Sequence, residues 1–121
     1  GAASVTFVDL NSKSISTIRA NLATTHMEKK AQVIQADAFR FLSSPSKSLY
    51  DYIYVAPPQY RQLWIQALNA IDQTPQLLTP DAWVMVQIHP VELEELSLTN
   101  LVEFDRRKYG STVLLFYRLN A

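Results

Sequence analysis

Apolar residues change spacing repeatedly along this chain, and each change marks an element. In 4–10, Val5 and Phe7 alternate with polar neighbours and Val8 joins them, which predicts a strand ending on an acid. Asn11 stands where a helix N-cap belongs, and Ile15, Ile18 and Leu22 follow at i, i+3 and i+7. A second strand is predicted over 32–35, turning at Asp37 into a short helix that carries Phe39 and Leu42. The polar stretch 43–48 is a loop by composition. A third strand lies in Tyr-Asp-Tyr-Ile-Tyr-Val-Ala-Pro-Pro, 50–58, stopped by two prolines that cannot donate to a ladder. From 60 to 72, Leu63, Trp64, Ala67, Leu68 and Ile71 share one helical face. A turn region at 74–81 leads into a fourth strand, 82–90, with a nearly continuous apolar core, and 91–96 reads as a helical turn. The segments 101–110 and 111–119 read as antiparallel strands around Tyr109-Gly110-Ser111.

Strand and helix alternate three times before the final hairpin. That order predicts an α/β fold with a mostly parallel sheet and an antiparallel pair at one edge. At 121 residues the chain reads as one domain, 1–121, with 48% apolar and 18% charged residues, as in globular proteins. Eleven basic and eleven acidic residues cancel, so no global field attracts nucleic acid, and any such contact needs a local patch. There is no cysteine, which excludes disulfides and thiolate metal sites, and the two histidines supply no spaced ligand set, so no metal is expected. No apolar run reaches the length of a membrane span, so no membrane partner is expected either. The two glycines are Gly1 and Gly110, so no glycine-rich phosphate loop exists within the chain, and a nicotinamide-type dinucleotide domain is excluded with it.

In open α/β sheets ligands bind beyond the carboxyl ends of the strands. Three consecutive strand ends carry suitable groups. Asp9 could accept the hydroxyls of a ribose, Asp37 could accept an exocyclic amine such as that of adenine, and Ala56-Pro57-Pro58-Gln59-Tyr60 forms a stiff rim. Each has a plainer reading beside it: the acids as helix N-caps, the prolines as a stop signal. Arg106, Arg107 and Lys108 form either a phosphate-contacting patch or a charged strand edge that blocks sheet-to-sheet pairing. His89 closes the fourth strand near the same end, and His26 lies in a polar loop; the plainer reading of both is structural or solvated.

Four of these segments in register resemble the RsmD family, S-adenosylmethionine-dependent methyltransferases acting on guanine N2 of small-subunit ribosomal RNA. Residues 1–22 resemble the stretch after the family's cofactor loop, Val-Ile-Gln-Ala-Asp-Ala-Phe-Arg-Phe-Leu (33–42) the next motif, 50–60 its Asp-Pro-Pro-Tyr segment, and 108–118 its closing hairpin. The resemblance implies a Rossmann-like class I methyltransferase fold, three-layered α/β/α, and a cytoplasmic protein with ribosomal RNA or the small ribosomal subunit as partner. It implies cofactor contacts at Asp9, Leu10, Asp37 and Ala38, with Ala56 to Tyr60 as the catalytic segment. Two departures stand out. Ala56 replaces the family's acid, and Gln59 replaces its stacking aromatic. The family's first strand and glycine loop are also not matched, so the chain reads as the C-terminal part of a larger catalytic domain, with weak or absent S-adenosylmethionine binding. A sheet lacking its central strand is expected to fall into two halves, one holding 5–9 and 32–35, the other 52–56, 84–88 and the hairpin. Their exposed edges either close directly on each other or pair with a second copy, and of the two a homodimer is expected. The alternative function is a non-catalytic α/β module retained for RNA or protein binding.

Overall fold

Val5–Asp9 forms β1, and the chain then turns through Asn11 into α1, Ser12–Thr24. The computed structural model describes residues 4–9, 11–43, 49–56 and 63–120. It divides into two units, Gly1–Phe41 and Leu42–Ala121. In the first unit Asn11 caps α1 as its position predicts, with Oδ1 accepting from the backbone N–H of Lys13 at 2.8 Å and of Ser14 at 3.1 Å. Of the predicted apolar face, Ile15 is buried and Ile18 and Leu22 are half-buried. A 3-10 turn at Glu28–Lys30 leads to β2, Ala31–Gln35, and then to α2, Ala38–Ser43. β1 and β2 pair in parallel from Val5 opposite Ala31 to Asp9 opposite Gln35.

The second unit holds β3 (Tyr50–Val55), α3 (Leu63–Asp72), β4 (Leu78–Ile88), β5 (Leu101–Tyr109) and β6 (Thr112–Leu119). Its sheet runs in the order β3-β4-β6-β5, with β3 parallel to β4 and the other pairs antiparallel. The described strands thus fall into two separate sheets, with the membership expected of the two halves. Alternation fixes the core. Ala82, Val84, Val86 and Ile88 of β4 and Val113, Leu115 and Tyr117 of β6 point to one face, where Trp64, Leu68 and Ile71 of α3 are fully buried on them. The other face carries Tyr52, Tyr54, Trp83, Phe104 and Phe116, with Trp83 5.2 Å from Phe104 and 6.1 Å from Phe116 between ring centroids.

Three boundaries differ from expectation. β4 begins at Leu78, inside the stretch expected to be a turn, because Leu77 and Leu78 are buried and Leu78 pairs with Tyr50. Pro80 is accommodated because the register shifts between Tyr50 and Tyr52, where no ladder bond is required of it. The same strand ends at Ile88, since Pro90 opens a 3-10 turn, Pro90–Glu92, and 93–98 continue without helix. The helix expected from 60 is described from Leu63; residues 57–62 lie outside the described residues. The hairpin is as expected: Tyr109 faces Thr112, and Gly110, at φ +56°, opens a two-residue loop of the kind that requires glycine at its first position.

Asp72, at the end of α3, is the one buried charged residue among those described. Its Oδ2 accepts from Thr99 N–H at 3.0 Å, and its Oδ1 accepts from Asn100 N–H at 2.8 Å and Leu101 N–H at 2.9 Å. The Asn100 side chain donates back to the Asp72 carbonyl at 2.7 Å. Three backbone N–H groups thus depend on one carboxylate. Asp72→Ala is expected to cost roughly 3 to 5 kcal/mol, and Asp72→Asn on the order of half as much, because an amide oxygen replaces only part of the acceptor. Urea unfolding checks this as a lowered midpoint with an unchanged slope.

Tyr117 pairs across the ladder with Glu103 and is 4% exposed. Burial, reinforced by the Glu103 carboxylate, pushes its phenol up from 10.0 to about 12. The unfolded chain therefore loses this proton first, and stability falls as pH rises from about 10 to about 12. The loss across that window is on the order of 2 kcal/mol. Urea midpoints at stepped alkaline pH are expected to fall less steeply in Tyr117→Phe than in the parent.

Candidate functional site

Because β1 and β2 are parallel and in register, their carboxyl ends coincide, and two acids emerge there. Asp9 is the last residue of β1; Asp37 follows β2 by two residues. The Asp9 carbonyl accepts from Ala36 N–H at 3.0 Å, tying the two strand ends together. Asp9 Oδ1 accepts from Asn11 N–H at 2.8 Å, and its Oδ2 has no partner among the described residues. Asp9 therefore does not cap α1; Asn11 does. Asp37 behaves as the plainer reading has it, with Oδ1 accepting from Arg40 N–H at 3.4 Å in the first turn of α2. Ala38 opens that helix, where backbone N–H groups lack partners inside the helix. Asp9 is half-buried and Asp37 and Ala38 are exposed, so a ligand can reach both carboxylates. Leu10 lies outside the described residues.

In the second unit the carboxyl ends of β3 and β4 also coincide. Val55 pairs with Val86, and Ala56, exposed, is the next residue after β3. A methyl group there can neither accept nor donate a hydrogen bond. Pro57, Pro58, Gln59 and Tyr60 lie outside the described residues. On the same face as Ala56, the Tyr54 hydroxyl donates to Gln87 Oε1. His89, at the end of β4, accepts from Val91 N–H through Nδ1 at 3.2 Å, which gives the ring a turn-forming role.

The basic run is engaged within its own strand. Arg106 makes a bidentate pair with Glu103, at 2.8 and 2.9 Å, and lies 3.5 Å from Glu95. The Glu103 hydrogen bonds raise its affinity for the proton further. Arg107 pairs with Asp105 at 3.1 Å and sits 5.3 Å from the Phe116 ring centroid. Lys108 is exposed with no partner among the described residues. Sequence reasoning missed Tyr54 and Gln87. The signal was present, since Gln87 is the one uncharged polar side chain inside the apolar run 82–88, at a position that alternation turns away from the core.

Comparison with known proteins places these features in context. The family model described as Conserved hypothetical protein 95 matches residues 1–118. The Bacillus subtilis (strain 168) protein named "Putative rRNA methyltransferase YlbH" is 32% identical over 115 residues, covering 93% of this chain and 61% of YlbH. The chain thus spans about three-fifths of the length of that relative. Among solved structures, "Putative methyltransferase yhhF" of Escherichia coli superposes with a TM-score of 0.84 at 21% identity, covering 99% of this chain and 66% of its own. A conserved hypothetical protein of Streptococcus pyogenes gives 0.86 at 18% identity, covering 99% and 74%. At these identities the structural likeness carries the fold, which is that of class I methyltransferases.

Proposed function

Because the chain belongs to the family described as Conserved hypothetical protein 95, the RsmD family, we propose that it works in S-adenosylmethionine-dependent methylation of guanine N2 in small-subunit ribosomal RNA. The observation that carries this reading is the pair of accessible carboxylates, Asp9 and Asp37, on adjacent parallel strand ends joined by the Ala36 hydrogen bond. Such an acceptor-rich edge fits an adenosine. Asp9 would accept the ribose hydroxyls through the oxygen left over by Asn11, Asp37 would accept the adenine amine, and the Ala38 N–H would donate to an adenine ring nitrogen. The cofactor supplies, when bound, a methyl group activated by a sulfonium. The chain's own task is to hold the target amine in line with it, which needs position more than reactive side chains. Ribosomal RNA is the proposed partner, with Lys108 as the basic residue left available beside the paired Arg106 and Arg107.

A second reading, a non-catalytic module, is favoured by one observation: Ala56 stands where the family has an acid. Transfer of labelled methyl from S-adenosylmethionine to small-subunit ribosomal RNA, by the polypeptide carrying this sequence, separates the two. In that assay Ala56→Asp is expected to raise kcat/KM roughly tenfold, because a carboxylate regains a charged hydrogen bond to the amine. No transfer by either form would favour the module.

The homodimer belongs here too. β1 and β3 each have a free edge among the described residues, and an exposed strand edge offers unpaired N–H and C=O groups for pairing with another chain. Sedimentation of the 121-residue chain at high micromolar concentration is expected to show a dimer; a monomer with native helix and sheet content would refute it.

A further inference from the structure

We infer that Gln87, held by Tyr54, receives the exocyclic amine of the substrate base at the rim where Ala56 leaves no acceptor; this rests on the methyl-transfer reading above. The register makes the case. β3 and β4 are parallel with Val55 opposite Val86, so Ala56 and Gln87 are the next residues along neighbouring strands. Neighbouring strands lie about 4.8 Å apart, well within the reach of a glutamine side chain. Alternation sends both to the same side of the sheet. Ile53, Val55, Val84 and Val86 face the core under α3, whereas Tyr54, Ala56 and Gln87 are exposed on the opposite face. The hydrogen bond from the Tyr54 hydroxyl to Gln87 Oε1 confirms the shared side.

The chemistry fits an amine. A carboxamide oxygen has two lone pairs, and Tyr54 occupies one of them. The other accepts from an exocyclic N–H, and Gln87 Nε2–H donates to the neighbouring ring nitrogen. Guanine presents that pair at N2 and N3. A primary carboxamide matches an amine beside a ring nitrogen in the same way that it reads adenine in a groove. Tyr54 is a positioning residue: its donated bond fixes the orientation of the Gln87 carboxamide, one strand away from Ala56, and denies the amide a free flip. Neither group is a base, so the surplus proton on the methylated nitrogen leaves to water.

The test uses the isotope-labelled chain and two nucleotides that differ only in the exocyclic amine, guanosine and inosine 5′-monophosphate. The Gln87 side-chain amide signals, assigned by their loss in Gln87→Leu, are expected to move on titration with the guanosine nucleotide. They are expected to move roughly tenfold less with the inosine nucleotide, which lacks the donor. Tyr54→Phe is expected to diminish the guanosine response while leaving the backbone spectrum in place. Equal responses to both nucleotides, or none to the guanosine form, would overturn the inference. In the methyl-transfer assay Gln87→Leu is expected to lower kcat/KM roughly tenfold, with Ala56→Asp in the same chain restoring it. Transfer undiminished by Gln87→Leu would sink the inference and leave the methyltransferase reading standing. An amine-specific Gln87 response in a polypeptide that transfers no methyl would sink that reading and leave the contact.

Discussion

The carboxylate of Asp72 is the constraint on which the second unit depends. A buried charge is costly unless it is fully hydrogen-bonded, and here three backbone N–H groups of one segment meet it, while the Asn100 side chain of the same segment donates to the Asp72 backbone carbonyl. That segment, 99–101, starts β5 after a stretch without regular structure, and it is held there from two sides, by Asp72 and by β6, where Asn120 N–H donates to the Asn100 carbonyl at 2.8 Å and Leu119 pairs with Leu101. An aspartate at a helix C-terminus also opposes the helix dipole. The three donors outweigh that penalty, and in doing so they tie the end of α3 to the outermost strand. With α3 held at that end, and the Trp64 indole donating to the Glu92 carbonyl at 3.2 Å near its start, the helix lies along β4 and β6. The rim residues at the end of β4 are placed by that packing.

How much of this was readable from the residues follows from what each signal physically is. Periodicity reports which side of an element meets the core. It therefore found β1 and β6 with nearly their observed bounds, the start of α1 and the end of α3, and it named Ile15, Trp64, Leu68 and Ile71 as inward. Turn chemistry is local, so Gly110 was found as well. The early start of β4 was missed because the pairing of Leu78 with Tyr50 is a tertiary fact that overrides the proline two residues later. Asp72 was missed for a related reason: its partners are 27 to 29 positions away, and nothing in its own neighbourhood announces them except its unfavourable place on the helix.

The candidate site divides along the same line. The acids at 9 and 37 were visible because strand ends are visible, and parallel pairing then brings them to one edge. Which oxygen each acid commits to its own backbone was not visible, since that depends on the turn that follows. Asp9 gives one to Asn11, and Asp37 gives one to its own helix. Likewise the basic run at 106–108 looked like three cations, but Glu103 and Asp105 on the same strand claim the first two. A charge count overstates what a surface offers to phosphate when the opposite charges are its sequence neighbours.

The rim raises a question of strength as well as position. A carboxylate accepting from an amine makes a charge-assisted bond, worth roughly 1.5 to 3 kcal/mol net, whereas a neutral amide makes one of about 0.5 to 1.5 kcal/mol. A site that relies on Gln87 in place of an acid at 56 therefore holds its target more weakly, but avoids burying an unpaired charge when the base stacks down. In the proposed site the surrounding surface would supply compensation of another kind. On the face that Tyr54 shares, a row of aromatic rings runs through Tyr52, Trp83, Phe116 and Phe104, and Arg118 sits 5.3 Å from the Phe104 ring centroid. Rings fixed on a sheet lose little freedom on binding, so the apolar packing of a base against them keeps almost its full strength. On the proposed reading, a weaker hydrogen bond set against a rigid aromatic surface would shift recognition from charge toward shape, which suits a neutral base better than a phosphate.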